Sequence, residues 1–216
     1  METPIPTCLF LDIGGVLLTD GWQHVSRKLA SDHFNLEWEE MELRHKLNFD
    51  TYEEGKMSIE EYLGRVVFYK DRPFTLDQFK VFMLEQSKPY EEVLALFRRL
   101  KLKYKLKIVA VSNEARELNE YRIHRFKLNE FVDFFISSCF LHLRKPDLDI
   151  FKIAMDMAQV PLNRILYIDD VEMFVEIAAK MGLRGILHID YQTTRKKLAS
   201  LGLFDEESVN HAIARA

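Results

Sequence analysis

From Pro89 onward the chain alternates short apolar runs with longer amphipathic stretches, and this alternation restricts the fold more than any other feature. IVAV (108–111), FFIS (134–137), ILYI (165–168) and RGILH (184–188) are too short for helices and rich in β-branched and aromatic residues, so each reads as a strand. Residues 114–128, 148–159 and about 171–181 read as helices, and Tyr90, Val93, Leu94, Phe97 and Leu100 form one apolar stripe ahead of the first of these strands. Strands separated by helix-length connections cannot close as hairpins. They pair in parallel through right-handed crossovers, and the expected class is α/β, with helices on both faces of the sheet.

Residues 20–88 break the pattern, because they hold no convincing buried strand. Trp38, Met41 and His45, or Leu43 and Leu47, recur at helical spacing; Tyr52-Glu-Glu-Gly-Lys56 interrupts them; Ser58 and Glu61 make a capping box that opens another helix. Asp71-Arg-Pro73 breaks that helix, and Thr75 caps the next. The expected organisation is a core of residues 1–19 and 89–216 interrupted by a helical insert.

The strand ends carry the chemistry. CLFLDIGGV (8–16) is an apolar strand that stops at Asp12, with Gly14 and Gly15 in the turn beyond. Ser112 ends IVAV, Lys145 stands before Pro146 in the loop after FFIS, and Asp169-Asp170 end ILYI. Singly, Asp12 reads as a cap, Ser112-Asn113 as a helix start and Lys145 as a solvated loop lysine. Together they place carboxylates, a hydroxyl and an ammonium at one rim of a parallel sheet, where open α/β sheets bind ligands.

With DIGGV (12–16), SN (112–113), RKPD (144–147) and IDD (168–170) in this order along nearly its whole length, the chain resembles the haloacid dehalogenase superfamily, in the branch with a small helical cap. The resemblance implies a Rossmann-like three-layer core with the insert as an α-helical cap subdomain. It also implies a phosphatase: Asp12 would attack phosphorus and become a transient aspartyl phosphate that water hydrolyses. Mg²⁺ would be held by Asp12, the main-chain carbonyl of Gly14 and Asp169, with Asp170 behind them orienting a water or Lys145. Ser112 and Asn113 would bind the phosphoryl group, and Lys145 would neutralise nucleophile and phosphate.

Two positions depart from the family pattern. Gly14 stands where these phosphatases commonly carry an aspartate that protonates the leaving group, as it does in relatives resembling sugar-1-phosphate phosphatases. The expectation is a bias toward leaving groups that depart readily, such as an anomeric, aryl or acyl phosphate, or toward an acid supplied by the cap or by the substrate, for which Asp20 and His24 are candidates that read equally as helix-capping residues. Phe174 stands where the family usually has Asn or Asp; with Ile177, Ala178 and Met181 it reads as a core-facing helix residue, which removes a polar support of the metal site.

A net charge of −4 gives no basic face for nucleic acid, and no apolar run reaches the roughly 18 residues that would span a membrane. Cys8 and Cys139 lie in or near strands and read as free thiols. METPIPT shows no targeting signal, so the expected setting is the cytoplasm and the expected partner a small phosphorylated metabolite, on a monomer or homodimer. Trp22, Trp38, Tyr52 and Arg65 would line the substrate pocket or, more plainly, fill the cap's own core; Arg44, Lys46, Lys56 and Lys70 would suit a second anionic group or form a solvated face. Two other readings stay open: a binding or regulatory protein that kept the fold without turnover, and a 2-haloacid dehalogenase, which also lacks the second aspartate but needs no metal.

Overall fold

A computed structural model describes residues 4–205. Five parallel strands form one sheet in the order β3-β2-β1-β4-β5, where β1 is Cys8–Leu11, β2 Lys107–Ser112, β3 Phe134–Ser137, β4 Ile165–Asp169 and β5 Arg184–Leu187. The central strand β1 is wholly buried, and its side chains alternate between the two faces. Leu9 and Leu11 join an apolar cluster with Val93, Phe97 and Leu100 of α5 (Glu91–Tyr104) and Leu198 of α10 (Tyr191–Ser200). Cys8 and Phe10 join Ile150, Phe151 and Ala154 of α8 (Leu148–Ala158) and Ala178 of α9 (Glu172–Lys180). These are the three layers of the expected Rossmann-like core.

Register decides what meets at the rim. Leu11 pairs with Ala110 on one side and Ile168 on the other, so Asp12 leaves the sheet between the ends of β2 and β4, with its amide bound to the Ile168 carbonyl at 3.0 Å.

The insert is helical: α1 is His24–His33, α2 Trp38–Glu53, α3 Ile59–Val66 and α4 Leu76–Glu85. It has its own apolar cluster, in which Trp22, Met41, Tyr52, Tyr62, Leu63 and Phe79 pack with Ala115 and Leu118, the last on α6 (Arg116–Arg125) of the core. The anticipated capping box forms, with Ser58 Oγ accepting from the Glu61 amide at 3.2 Å, and the Thr75 cap turns out to be a second box, with Oγ1 accepting from the Gln78 amide at 3.2 Å. A short helix, α7 (Ser138–Leu141), follows β3 directly. No helix among the described residues is long and apolar enough to cross a membrane.

Some sequence expectations shift. On α2, Met41 and His45 face inward while Leu43 and Leu47 are exposed. The helix α3 stops at Val66, ahead of Asp71-Arg-Pro73, and α6 starts at Arg116. The tail 206–216 of the expected core lies outside the described residues.

Candidate active site

Asp12 sits at the sheet's rim, 8% exposed, with Oδ1 accepting the Ile13 amide at 2.8 Å. Burial raises its pKa to about 6; Lys145 and a hydrogen bond from Ser112 oppose the rise, and Asp169 adds to it. Lys145 is 1% exposed, with Nζ 3.2 Å from Asp12 Oδ1 and 2.6 Å from Asp169 Oδ2. Burial alone would push this ammonium down, but the two carboxylates outweigh it and hold its pKa above the usual lysine range.

The Asn113 amide clamps the lysine's backbone: Nδ2 donates to the Lys145 carbonyl and Oδ1 accepts from the Lys145 amide, both at 2.8 Å. The Asn113 side chain thus positions Lys145, and one N–H of its Nδ2 remains beyond this clamp on a residue that lines the cleft.

Asp169 is fully buried, and both of its oxygens are occupied. Oδ2 accepts from Lys145 and from the Tyr167 hydroxyl, while Oδ1 accepts from the Val171 amide at 2.8 Å. Asp170, half-buried, lies over Gly15: a Cβ on that glycine would stand 2.0 Å from Asp170 Oδ2, and the backbone there has φ +70°. The second glycine of the turn is thus required both by its conformation and by the carboxylate above it. Burial, with Asp12, Asp20 and Asp169 nearby, raises Asp170 to about 7. One oxygen from each of Asp12, Asp169 and Asp170 can lie within 4.8 Å of the others.

Phe174 is half-buried and does more than face the core: its ring centroid lies 5.0 Å from Lys145 Nζ, so a cation–π contact stands where a polar neighbour is usual. Tyr167 was not anticipated, although it precedes Asp169 by two residues on a strand and so points to the same side of the sheet. Nor was the buried pair of Glu114 and Arg122, whose guanidinium donates to Glu114, to Ser87 Oγ at 3.0 Å and to the Thr19 carbonyl at 2.8 Å. Burial lifts Glu114 to about 7 despite Arg122. Both residues look like ordinary helix-surface charges in the sequence, eight positions apart.

A cleft of about 480 Å³ opens between this rim and the insert, reaching from Asp12, Ser112 and Asp170 to His45 and Tyr52. Trp22 and Tyr52 both line it and belong to the insert's apolar cluster. Arg65 does neither: it is exposed and donates to Asn48 Oδ1 at 3.2 Å. His24 lines the cleft mouth, exposed, its ring edge-on to Trp38 at 5.0 Å. Asp20 also lines the cleft, its pKa raised chiefly by burial. A Cβ on Gly14 would stand 3.3 Å from Asp20 Oδ1, so the Asp20 carboxylate sits beside the space a side chain at residue 14 would enter.

The haloacid dehalogenase-like hydrolase family profile matches residues 6–182. Bifunctional epoxide hydrolase 2 of Sus scrofa is 31% identical over 72 residues, which is 33% of this chain and only 13% of that protein. Among solved structures, a haloacid dehalogenase family enzyme of Bacteroides thetaiotaomicron, in complex with magnesium and inorganic phosphate, superposes with a TM-score of 0.67 at 19% identity, covering 86% of this chain and 97% of that one. L-2-haloacid dehalogenase of Xanthobacter autotrophicus with chloropropionic acid covalently bound gives 0.60 at 13%, covering 93% and 85%. At such identities the likeness is one of fold.

Proposed function

We propose, for a chain that belongs to the haloacid dehalogenase-like hydrolases, a Mg²⁺-dependent phosphatase that cleaves a small phosphometabolite through an aspartyl phosphate on Asp12, with the helical insert as a cap. The observation that carries this reading is the buried group at the rim: three carboxylates within 4.8 Å, of which two share Lys145. A 2-haloacid dehalogenase needs no such cluster, because its reaction has no phosphate charge to screen.

The donor set fits a small hard cation, since only oxygens are offered and the Asp170 carboxyl faces like charges. Asp12, the Gly14 carbonyl and Asp169 would hold Mg²⁺ together with Asp170, which completes the oxygen cluster, and Asp169 would also fix Lys145. Bound there, the ion would screen the negative charges of nucleophile and phosphate. The chain's own residues do the rest. Lys145 keeps Asp12 ionised and balances the incoming phosphate, and Ser112 donates to a phosphoryl oxygen. Asp12 bonds to phosphorus as the ester P–O bond breaks and the departing oxygen takes a proton from Asp20; water, giving a proton back to the Asp20 carboxylate, then cleaves the acyl phosphate to release phosphate and restore Asp12. Anomeric, aryl and acyl phosphates are the favoured substrates, sugar 1-phosphates first among them. Two buried free thiols, Cys8 and Cys139, agree with a reducing compartment, and the cytoplasm is the one we assign.

The test is release of p-nitrophenol from p-nitrophenyl phosphate with Mg²⁺, with EDTA, and by Asp12→Asn. This ester needs little acid help, so it reports nucleophile and metal. Loss of turnover with EDTA and with Asp12→Asn is expected. No turnover at high enzyme concentration would sink the phosphatase reading and favour a binding protein of the same fold.

A further inference from the structure

The cleft beyond the phosphoryl end has few charges available to a ligand. The cap cations Arg44, Lys46, Lys56 and Lys70 do not line it, and Arg27, which does, has its charge paired with Glu42. Its Nε and Nη2 hold the two oxygens of Glu42 at 3.1 and 2.7 Å, and Nη1 donates to the Trp22 carbonyl at 2.7 Å. Carboxyl groups line the cleft from three directions: Asp20 at the hinge, Glu53 on α2 and Glu114 before α6. Arg144 sits behind Glu53 at 2.6 Å and also pairs with Asp50, so it is no free counter-charge.

What the cleft does offer is a neutral donor. Trp22 Nε1 can only donate, so the Tyr62 hydroxyl accepts it at 2.9 Å; the Tyr62 proton is then free to bond His45 Nδ1 at 2.7 Å. Tyr62 is fully buried, and if Nδ1 carried a proton its hydroxyl would lack an acceptor. The His45 proton therefore resides on Nε2, which has no partner among the described residues. Burial, with Arg27 nearby, pushes the His45 pKa down to about 3, which keeps the ring neutral. Beside it the Tyr52 ring, stacked on Tyr62 at 4.3 Å and 8°, forms a fixed aromatic wall of the cleft, with its hydroxyl closed off inside the protein.

We infer that His45 selects a phosphomonoester whose leaving group is an uncharged ring carrying hydroxyls, and that this cleft rejects a substrate with a second anionic group. The inference rests on reading the Asp12 end as the phosphoryl site. His45 Nε2–H would meet a ring hydroxyl, and Trp22, Phe49 and the Tyr52 ring would cover the ring's carbon face. A second phosphate would enter among three carboxyls whose neighbouring arginines, Arg122 and Arg144, are already paired with Glu114 and Glu53, which is costly in a desolvated site.

Calorimetric titration of Asp12→Asn, in which turnover is blocked, with glucose 1-phosphate, glucose 1,6-bisphosphate and phenyl phosphate tests this directly. The monophosphate should bind at least about tenfold more tightly than the bisphosphate, and adding His45→Leu should weaken the monophosphate by about tenfold while weakening phenyl phosphate, which has no ring hydroxyl, by less than about threefold. Equal or tighter binding of the bisphosphate overturns the inference. So does an equal loss for both monoesters, which would mark His45 as merely structural. If the unaltered protein shows the binding preference but releases no phosphate, the phosphatase reading fails and the selective cleft stands.

Discussion

At the scale of single residues, the turn after β1 shows how two glycines do different work. Gly15 is held by geometry, with φ +70° and the Asp170 carboxylate where its Cβ would be. Gly14 is not strained; what its small size allows is the approach of Asp20, with Oδ1 3.3 Å from the point where a Cβ would begin. If Asp20 supplies the proton, its removal should matter in proportion to the basicity of the leaving group. Asp20→Asn should lower kcat on an alkyl phosphate by about 10²-fold and on p-nitrophenyl phosphate by less than about threefold. Comparable losses on both esters would show that Asp20 shapes the cleft without donating. Asp12, Ser112, Lys145 and the Asp169-Asp170 pair were legible because each ends a strand or follows one. The different surroundings of Asp169 and Asp170 were not, because only the neighbours, Tyr167 and Lys145 for one and Gly15 for the other, tell these adjacent residues apart.

At the scale of elements, legibility followed the apolar pattern. The strands and the helices α5 and α8 bury apolar stripes, α9 packs a half-buried one against the sheet, and all could be read, as could the capping box of α3 and the Thr75 cap of α4. The helix α1 could not: its buried residues are Ser26, Arg27, Ala30 and Ser31, so hydrophobic periodicity is silent there. The same holds for α10, which buries only Thr194 and Leu198. On α2 the period was visible, but its buried histidine brings a dependence on pH that the pattern does not disclose. An unfolded histidine titrates near about 6.5, whereas His45 in the fold titrates at about 3. Between those values the unfolded chain holds a proton that the folded chain does not, so His45 contributes stability above about pH 6.5 that is lost as pH falls toward 3. Glu53 and Glu114, raised to about 7, act in the opposite sense, adding stability as pH falls through 7, and so mask the effect in the intact protein. His45→Gln isolates it: relative to the unaltered protein, the variant should gain about 3 kcal/mol between pH 7 and pH 4 in urea unfolding. A difference that stays flat with pH would mean that His45 protonates freely in the fold.

At the scale of the molecule, the chain crosses between core and insert twice, and both crossings are fastened together. The Thr19 amide donates to the Lys88 carbonyl at 2.9 Å, Thr19 Oγ1 donates to the Gln86 carbonyl at 3.0 Å, and Arg122 reaches both strands of the hinge through Thr19 and Ser87. The fold thereby holds the Asp12 rim against the cleft wall, and concentrates there charges that a stable protein would otherwise keep apart. That concentration has a thermodynamic signature independent of catalysis. In EDTA, Asp170 faces Asp12, Asp20 and Asp169, all of which oppose its ionisation, so Asp170→Asn should melt at a higher temperature than the unaltered protein. With Mg²⁺ the order should reverse. An ion bound only by the folded state, at a hundred times its Kd, adds about 2.7 kcal/mol, roughly 5–10 °C for a chain of this size; the variant, missing one ligand, should gain much less. Melting curves of both proteins in EDTA and in Mg²⁺ decide the matter. A crossing of the two orders identifies the carboxylate cluster as a cation site, whereas parallel curves would assign it to hydrogen bonding within the protein and leave Lys145 as its only counter-charge.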